Sequence, residues 1–237
     1  MMAVILNSGV GTRLYPLTRY CPKALIKVDS DPLLGHQIEN IVKCNIKKII
    51  ITTGPFENKI KKYIEKEYPN IDVTYVRNPK YRTTNYIYSM WLTKELIDDD
   101  VLLMHGDLFF ELKPLKDLLG THEGNFVLVN RNIVPPDKDF KAVILNGKIV
   151  KIGVEFSGEN TFSLIPMYKL SKAAYLFWLN EIEKFLIRKS VKIYAETVFN
   201  EVSGKIPLLP LYLSNEICME IDTKEDLETA RTFAKFS

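Results

Sequence analysis

Along the first half of the chain, apolar residues fall into short unbroken runs. Between these runs they recur every three or four positions. Ala3 to Leu6, Lys48 to Thr52, Asp72 to Val76 and Val101 to His105 are the short runs, and they read as strands. A strand that is apolar at successive positions, rather than at alternate ones, is covered on both faces of its sheet. The intervening stretches read as helices. Leu33 to Cys44 carries Leu34, Ile38, Ile41 and Val42 at helical spacing, and Glu57 to Lys66 is a charged helix. Asn85 to Leu96 sets Ile87, Met90 and Trp91 on one helical face. Strands alternating with helices of this length predict βαβ units and a parallel sheet.

From about Phe126 the pattern changes. Phe126 to Val129, Ala142 to Leu145 and Lys148 to Ile152 are strands with few helices between them, and Asn146-Gly147 joins the last two as a hairpin turn. Helices return at Lys172 to Arg188 and Ala195 to Val202, followed by a strand over Ile217 to Ile221. Thr223 starts a final helix as N-cap, with Asp226 at the capping-box position. No internal repeat or linker interrupts the chain. The pattern predicts one α/β domain over residues 1–237 with a Rossmann-like, mostly parallel sheet and helices on both faces. A smaller mixed, more antiparallel lobe is inserted over about 126–214.

Composition narrows the classes of function. Of 237 residues, 46% are hydrophobic and 26% charged, as in an ordinary globular protein, which argues against disorder. Lys plus Arg number 32 against 29 Asp plus Glu, so the net charge of +3 lacks the basic excess of a nucleic-acid binder. No apolar run approaches a membrane span, and the opening Met1 to Leu6 is too short for a signal-peptide core. Cys21, Cys44 and Cys218 are odd in number and far apart, with no C-x-x-C pair. That disfavours a disulfide framework or a zinc cluster and fits a reducing cytoplasm.

The chemistry concentrates at strand ends. After the first strand comes Asn7-Ser8-Gly9-Val10-Gly11-Thr12-Arg13-Leu14, then Pro22-Lys23. A glycine-rich turn presents backbone N–H groups to an anion, and Arg13 and Lys23 add charge for a polyphosphate. No G-K-[ST] follows, and Leu14 stands where a dinucleotide fingerprint has its third glycine. Two carboxylates, Asp107 and Asp222, end the strands Val101 to His105 and Ile217 to Ile221, the edge where open α/β sheets bind ligands. One or two such carboxylates plus phosphate oxygens are how Mg²⁺ is usually held. Glu220 points near the same edge. A packed or hydrogen-bonded role is expected for His105, and structural or solvated roles for His36 and His122. No serine or cysteine pairs with a histidine as a nucleophilic triad would require.

Leu6 to Leu14, Pro16-Leu17-Thr18 and Pro22-Lys23-Ala24-Leu25 together resemble the signature of the nucleotidyltransferases that activate sugar phosphates and phosphocholine, with Asn7-Ser8 where Ala-Ala is usual. The resemblance implies that Leu6, Asn7, Gly9, Gly11 and Thr12 bind the nucleotide, that Arg13 and Lys23 are catalytic through its phosphates, and that Asp107 and Asp222 hold Mg²⁺. It also implies a nucleotide-binding part at about 1–125 and 215–237, with acceptor binding in the lobe between. Asn78 to Met90 resembles a segment of the phosphocholine cytidylyltransferases, and Glu220-Ile221-Asp222-Thr223 resembles their E-I-D-[ST]. CTP is then the nucleotide, with Tyr81, Asn85 and Ser89 near it.

On the acceptor side the chain departs from those enzymes. Pro166-Met167 replaces a Phe-Trp pair, Ala195-Glu196 replaces Trp-Asp, and a second phosphate lysine falls at Val154. Lys141, Tyr168 and Glu196 are the acceptor-binding candidates, with Tyr194 beside them. The expected partners are CTP and a small phosphorylated amine or amide: phosphocholine-like, phosphoethanolamine, a phosphonate, or phosphoglutamine for capsule or other cell-surface glycan modification. Nucleic acid and membrane are not expected. The rival expectations are a sugar-1-phosphate enzyme using UTP or dTTP, and a nucleotide-binding subunit without catalysis.

Overall fold

The first strand, β1 (Met2–Asn7), is apolar at every position but the last because each of its faces meets a different helix layer. The computed structural model describes residues 1–235. On one face, Met2, Val4 and Leu6 join Ile50, Val101 and Leu103 in a core packed under helices α3 (Tyr86–Trp91), α5 (Lys172–Ile187) and α6 (Ala195–Val202). On the other, Ala3 and Ile5 join Ile49, Ile51, Leu102 and Met104 under α1 (Leu33–Lys43), α2 (Glu57–Glu67) and α4 (Leu112–Leu119). Period-two alternation thus sorts one apolar run into two cores.

The strands next to β1 are parallel to it: β2 (Lys48–Thr53) on one side, followed by β3 (Asp72–Arg77), and β4 (Val101–His105) on the other. Beyond β4 the direction reverses. β9 (Thr161–Leu170) lies antiparallel between β4 and β6 (Asn125–Asn130), and β10 (Leu208–Tyr212) forms the edge parallel to β6. The hairpin β7 (Lys141–Leu145) and β8 (Lys148–Gly153) hangs from β9. Asn146 and Gly147 turn it with φ of 49° and 71°, the paired positive values expected of a type I′ turn. The strands of residues 126–214 therefore extend the main sheet. A separate ribbon pairs β5 (Leu108–Phe110) antiparallel with β11 (Cys218–Glu220).

One expected helix is divided. The stretch from Asn85 to Leu96 is α3, capped by the Asn85 side chain, followed by a 3-10 turn at Lys94–Leu96. The break falls where the buried Thr93 hydroxyl donates to the Met90 carbonyl and meets the Tyr175 hydroxyl. The last helix, α7 (Lys224–Ala234), starts with the full capping box of Thr223 and Asp226. No helix among the described residues is long and apolar enough to cross a membrane.

Candidate active site

Gly11 has φ of 66°, and a Cβ there would sit 3.0 Å from both Lys23 Cβ and Thr18 Cγ2. Only glycine lets the loop after β1 bend back onto the Pro22-Lys23 turn. The Thr18 hydroxyl donates to the Gly11 carbonyl at 2.8 Å and fixes that bend. The 3-10 turn at Lys23–Leu25 then aims Lys23 at the sheet edge.

The β5–β11 ribbon brings the two aspartates together. Asp107 follows β4, Asp222 follows β11, and the Ile221 N–H donates to the Asp107 carbonyl at 2.9 Å. Between the two carboxylates lies the Lys23 ammonium, 2.9 Å from Asp107 Oδ2 and 2.7 Å from Asp222 Oδ1. Burial works against charging Lys23, but Asp107 and Asp222 outweigh it and hold its pKa above the ordinary lysine value. Burial likewise raises Asp107, and Lys23 and then His105 overcome it, so its pKa stays below the usual carboxylate range. Arg13 Nη1 reaches Asp222 Oδ2 at 2.8 Å from an exposed position, and such exposed pairs are weak. Asp107 Oδ1 is buried and has no hydrogen-bond partner. A carboxylate with one buried oxygen left without a donor, and its other oxygen linked to a second aspartate through a single cation, suits the oxygen-ligand chemistry of Mg²⁺.

A second acidic grouping shares Asp107. His105, Asp107 and Glu220 place ligand atoms within 4.8 Å of one another, with His105 Nδ1 3.5 Å from Glu220 Oε1. Burial, then Asp107, push the Glu220 pKa up. Burial opposes charge on His105, but Glu220 and Asp107 raise its pKa overall.

These groups line one cavity of about 440 Å³, within the usual range for a small-molecule site. Leu6, Asn7, Gly9, Gly11, Thr12, Arg13, Lys23, Tyr81, Asn85, Ser89, Asp107 and Asp222 all line it. The floor beneath Ser89 is polar: buried Asn78 donates to Ser89 Oγ at 2.9 Å and to Thr84 Oγ1 at 3.1 Å. Part of the wall, beside Asp107 and Glu220, is aromatic. Tyr86, His105, Phe140 and Tyr194 line it, with ring centroids 4.7 Å apart for Tyr86–His105, 6.0 Å for Tyr86–Tyr194 and 5.0 Å for Phe140–Tyr194.

The three acceptor candidates are not among the cavity's lining residues. Lys141 is buried, and its ammonium donates to the carbonyls of Asp137, Asp139 and Val154. Glu196 and Tyr168 are buried behind Tyr86. The Tyr168 hydroxyl donates to Glu196 Oε1 at 2.9 Å, and the Tyr86 hydroxyl donates to Oε2. Of the other histidines, His36 packs edge-on against Phe109 and His122 against Phe126. Lys138, Phe140 and His105 are wall residues that sequence reasoning did not place in the site, whereas Glu220 was expected near the same edge.

The profile of the family described as "Nucleotidyl transferase" matches residues 2–134. The choline-phosphate cytidylyltransferase of Streptococcus pneumoniae is 29% identical over 210 residues, covering 83% of this chain and 88% of that protein. Its counterpart in Haemophilus influenzae is 26% identical over 233 residues, 95% and 94% of the two chains. A CMP-5'-(3-aminopropyl)phosphonate synthase of Streptomyces rubellomurinus is 31% identical over 133 residues, 56% of this chain, and the match spans 21% of that longer protein. Among solved structures, the CTP:phosphocholine cytidylyltransferase of S. pneumoniae superposes with a TM-score of 0.81 at 22% identity over 98% of both chains. An inositol-1-phosphate CTP transferase from T. maritima gives 0.81 at 20% identity over 99% of this chain and 96% of that one. These superpositions bear on the fold.

Proposed function

Because the chain belongs to the nucleotidyl transferase family, we propose that it transfers CMP from CTP to a small phosphorylated acceptor bearing an amine, releasing pyrophosphate. The observation that carries this reading is the single cavity lined together by a glycine loop, paired aspartates and four aromatic rings. In this reading a phosphate oxygen of the acceptor attacks the α-phosphorus. The new P–O bond forms as the bond to the β-phosphate oxygen breaks, and pyrophosphate leaves. The attacking oxygen is anionic at neutral pH, so no general base is needed. Positioning and charge neutralisation carry the rate.

The loop N–H groups, Arg13 and Lys23 cradle the triphosphate. Asp107 and Asp222 would hold Mg²⁺, which when bound supplies further charge neutralisation at the reacting phosphate. Ser89, whose hydroxyl accepts from Asn78, keeps its own O–H to donate to a base carbonyl. Resemblance to choline-phosphate cytidylyltransferases over most of the chain supports cytosine as that base. In the aromatic part of the wall the rings of Tyr86, Phe140 and Tyr194 suit an ammonium group, an interaction worth about 0.5–2 kcal/mol. Glu196 and Tyr168 then serve the acceptor indirectly, by fixing the Tyr86 ring.

The test is pyrophosphate release with CTP, UTP and dTTP across phosphocholine, phosphoethanolamine, an aminoalkylphosphonate and sugar 1-phosphates. Turnover with CTP and a cationic acceptor, lost in Asp107→Asn and in Asp222→Asn, is the expected result. Preference for UTP or dTTP with a sugar phosphate, or nucleotide binding without release, would overturn it.

A further inference from the structure

Two phosphate-bearing substrates in one cavity call for more than one set of cations, and the lining residues supply three lysines and arginines: Arg13, Lys23 and Lys138. Arg13 and Lys23 come from the glycine-loop side and are tied to the aspartates. Lys138 comes from a different part of the chain, the 131–140 segment between β6 and β7, and reaches the cavity beside the Asp222–Asp226 turn. Its ammonium rests 2.8 Å from Asp226 Oδ2, on a side chain 38% exposed. That oxygen does not depend on it, because the N–H groups of Asp222 and Thr223 also donate there at 2.9 and 2.8 Å. Lys138 can therefore turn to a ligand without stranding a buried charge. Lys141 holds the same segment from beneath through its three carbonyl contacts, which fixes where residues 137–140 stand. Two residues after Lys138, Phe140 joins the aromatic wall against Tyr194. One segment thus offers a cation and a ring face side by side, matched to a molecule with a phosphate at one end and an ammonium at the other.

We propose that Lys138 is the phosphate ligand of the acceptor subsite, exchanging Asp226 for the acceptor's phosphate. The proposal rests on the two-substrate reading above. It displaces the phosphate role expected for Lys141, whose ammonium is committed to backbone carbonyls.

The test uses the full chain loaded with Mg²⁺ and a CTP analogue bearing a methylene bridge between the α- and β-phosphates. Binding of inorganic phosphate, as the probe for the acceptor's phosphate, is followed by calorimetry in wild type, Lys138→Met and Lys138→Arg. Phosphate affinity is expected to fall tenfold or more in Lys138→Met and to recover in Lys138→Arg, with analogue affinity unchanged within about twofold. Three results would overturn the proposal: phosphate binding unaltered in Lys138→Met, no phosphate binding beside the analogue in wild type, or analogue affinity falling as far as phosphate affinity. The last would make Lys138 a triphosphate ligand. Pyrophosphate release by wild type across the acceptor panel judges the reading separately, since it can fail while phosphate binding holds.

Discussion

Lys23 pairs with Asp107 and Asp222 at once, so one internal cation offsets part of the negative charge at the edge of the sheet. Replacing it with methionine keeps the length of the side chain and removes the charge. The two carboxylates then face each other in a partly dry cavity. Loss of one partner from a fully buried pair costs several kcal/mol, and access to the cavity reduces this to about 2 kcal/mol. For a chain of this size that corresponds to a Tm roughly 4–8 °C lower. Millimolar Mg²⁺ should recover much of the loss in Lys23→Met while moving wild type less. An equal drop with and without Mg²⁺ would show that the aspartates do not form a metal site. Lys23, Asp107 and Asp222 were legible in the sequence because each ends a strand or stands in a recognisable loop. Lys138 was not, since nothing local to residues 131–140 says that they fold over the cavity. The three acceptor candidates illustrate the reverse. Lys141, Tyr168 and Glu196 are the right residue types in the right region, but burial and existing partners turn them away from the cavity.

Among the elements, those defined by local chemistry were visible and those defined by pairing were not. The Asn146-Gly147 hairpin and the Thr223–Asp226 capping box are written in adjacent residues. Gly147→Val places a β-branched residue at φ 71° and should cost roughly 1–2 kcal/mol in urea unfolding. No change would mean that the turn relaxes to another type. By contrast α4 carries Pro114, which reads as a breaker yet is tolerated within the first turn of a helix. β9 carries Pro166, and its pairing with β6 jumps from Val127–Tyr168 to Leu128–Ile165, skipping Pro166 and Met167. A proline with no N–H to donate belongs at such a bulge. β5 and β11 are three residues each and gain definition only from one another. That ribbon is also what sets Asp107 beside Asp222, so the aspartate pair depends on the least visible elements of the fold. Asp226 adds to the same support by accepting from the N–H of Asp222. Asp226→Ala should cost about 1 kcal/mol as a lost cap, and it should depress turnover further than that stability loss alone explains. A fully active variant with only the stability loss would restrict Asp226 to capping.

At the scale of the molecule, the parts expected to bind nucleotide and acceptor share one sheet. β9 hydrogen-bonds to β4 on one side and to β6 on the other. A single apolar core runs from Met2 and Val4 of β1 to Val198 and Phe199 of α6. With no seam through the sheet and a common core beneath both parts, neither can lose its packing without exposing the other. The chain should then unfold as one unit, although chains of this length often populate intermediates. Its two tryptophans are rooted in the two parts: Trp91 ends α3, with its indole N–H donating to Glu183 of α5, and Trp178 lies fully buried in α5. Trp178→Phe leaves fluorescence from the contact of α3 with α5, and Trp91→Phe leaves it from within α5. In each variant the fluorescence midpoint in urea should coincide with the midpoint from far-UV circular dichroism of the same sample, whatever stability that substitution has cost. A fluorescence transition that precedes the dichroism change in one variant and follows it in the other would show two units behind the continuous sheet. In that case the acceptor end could open while the glycine loop and aspartates stay folded.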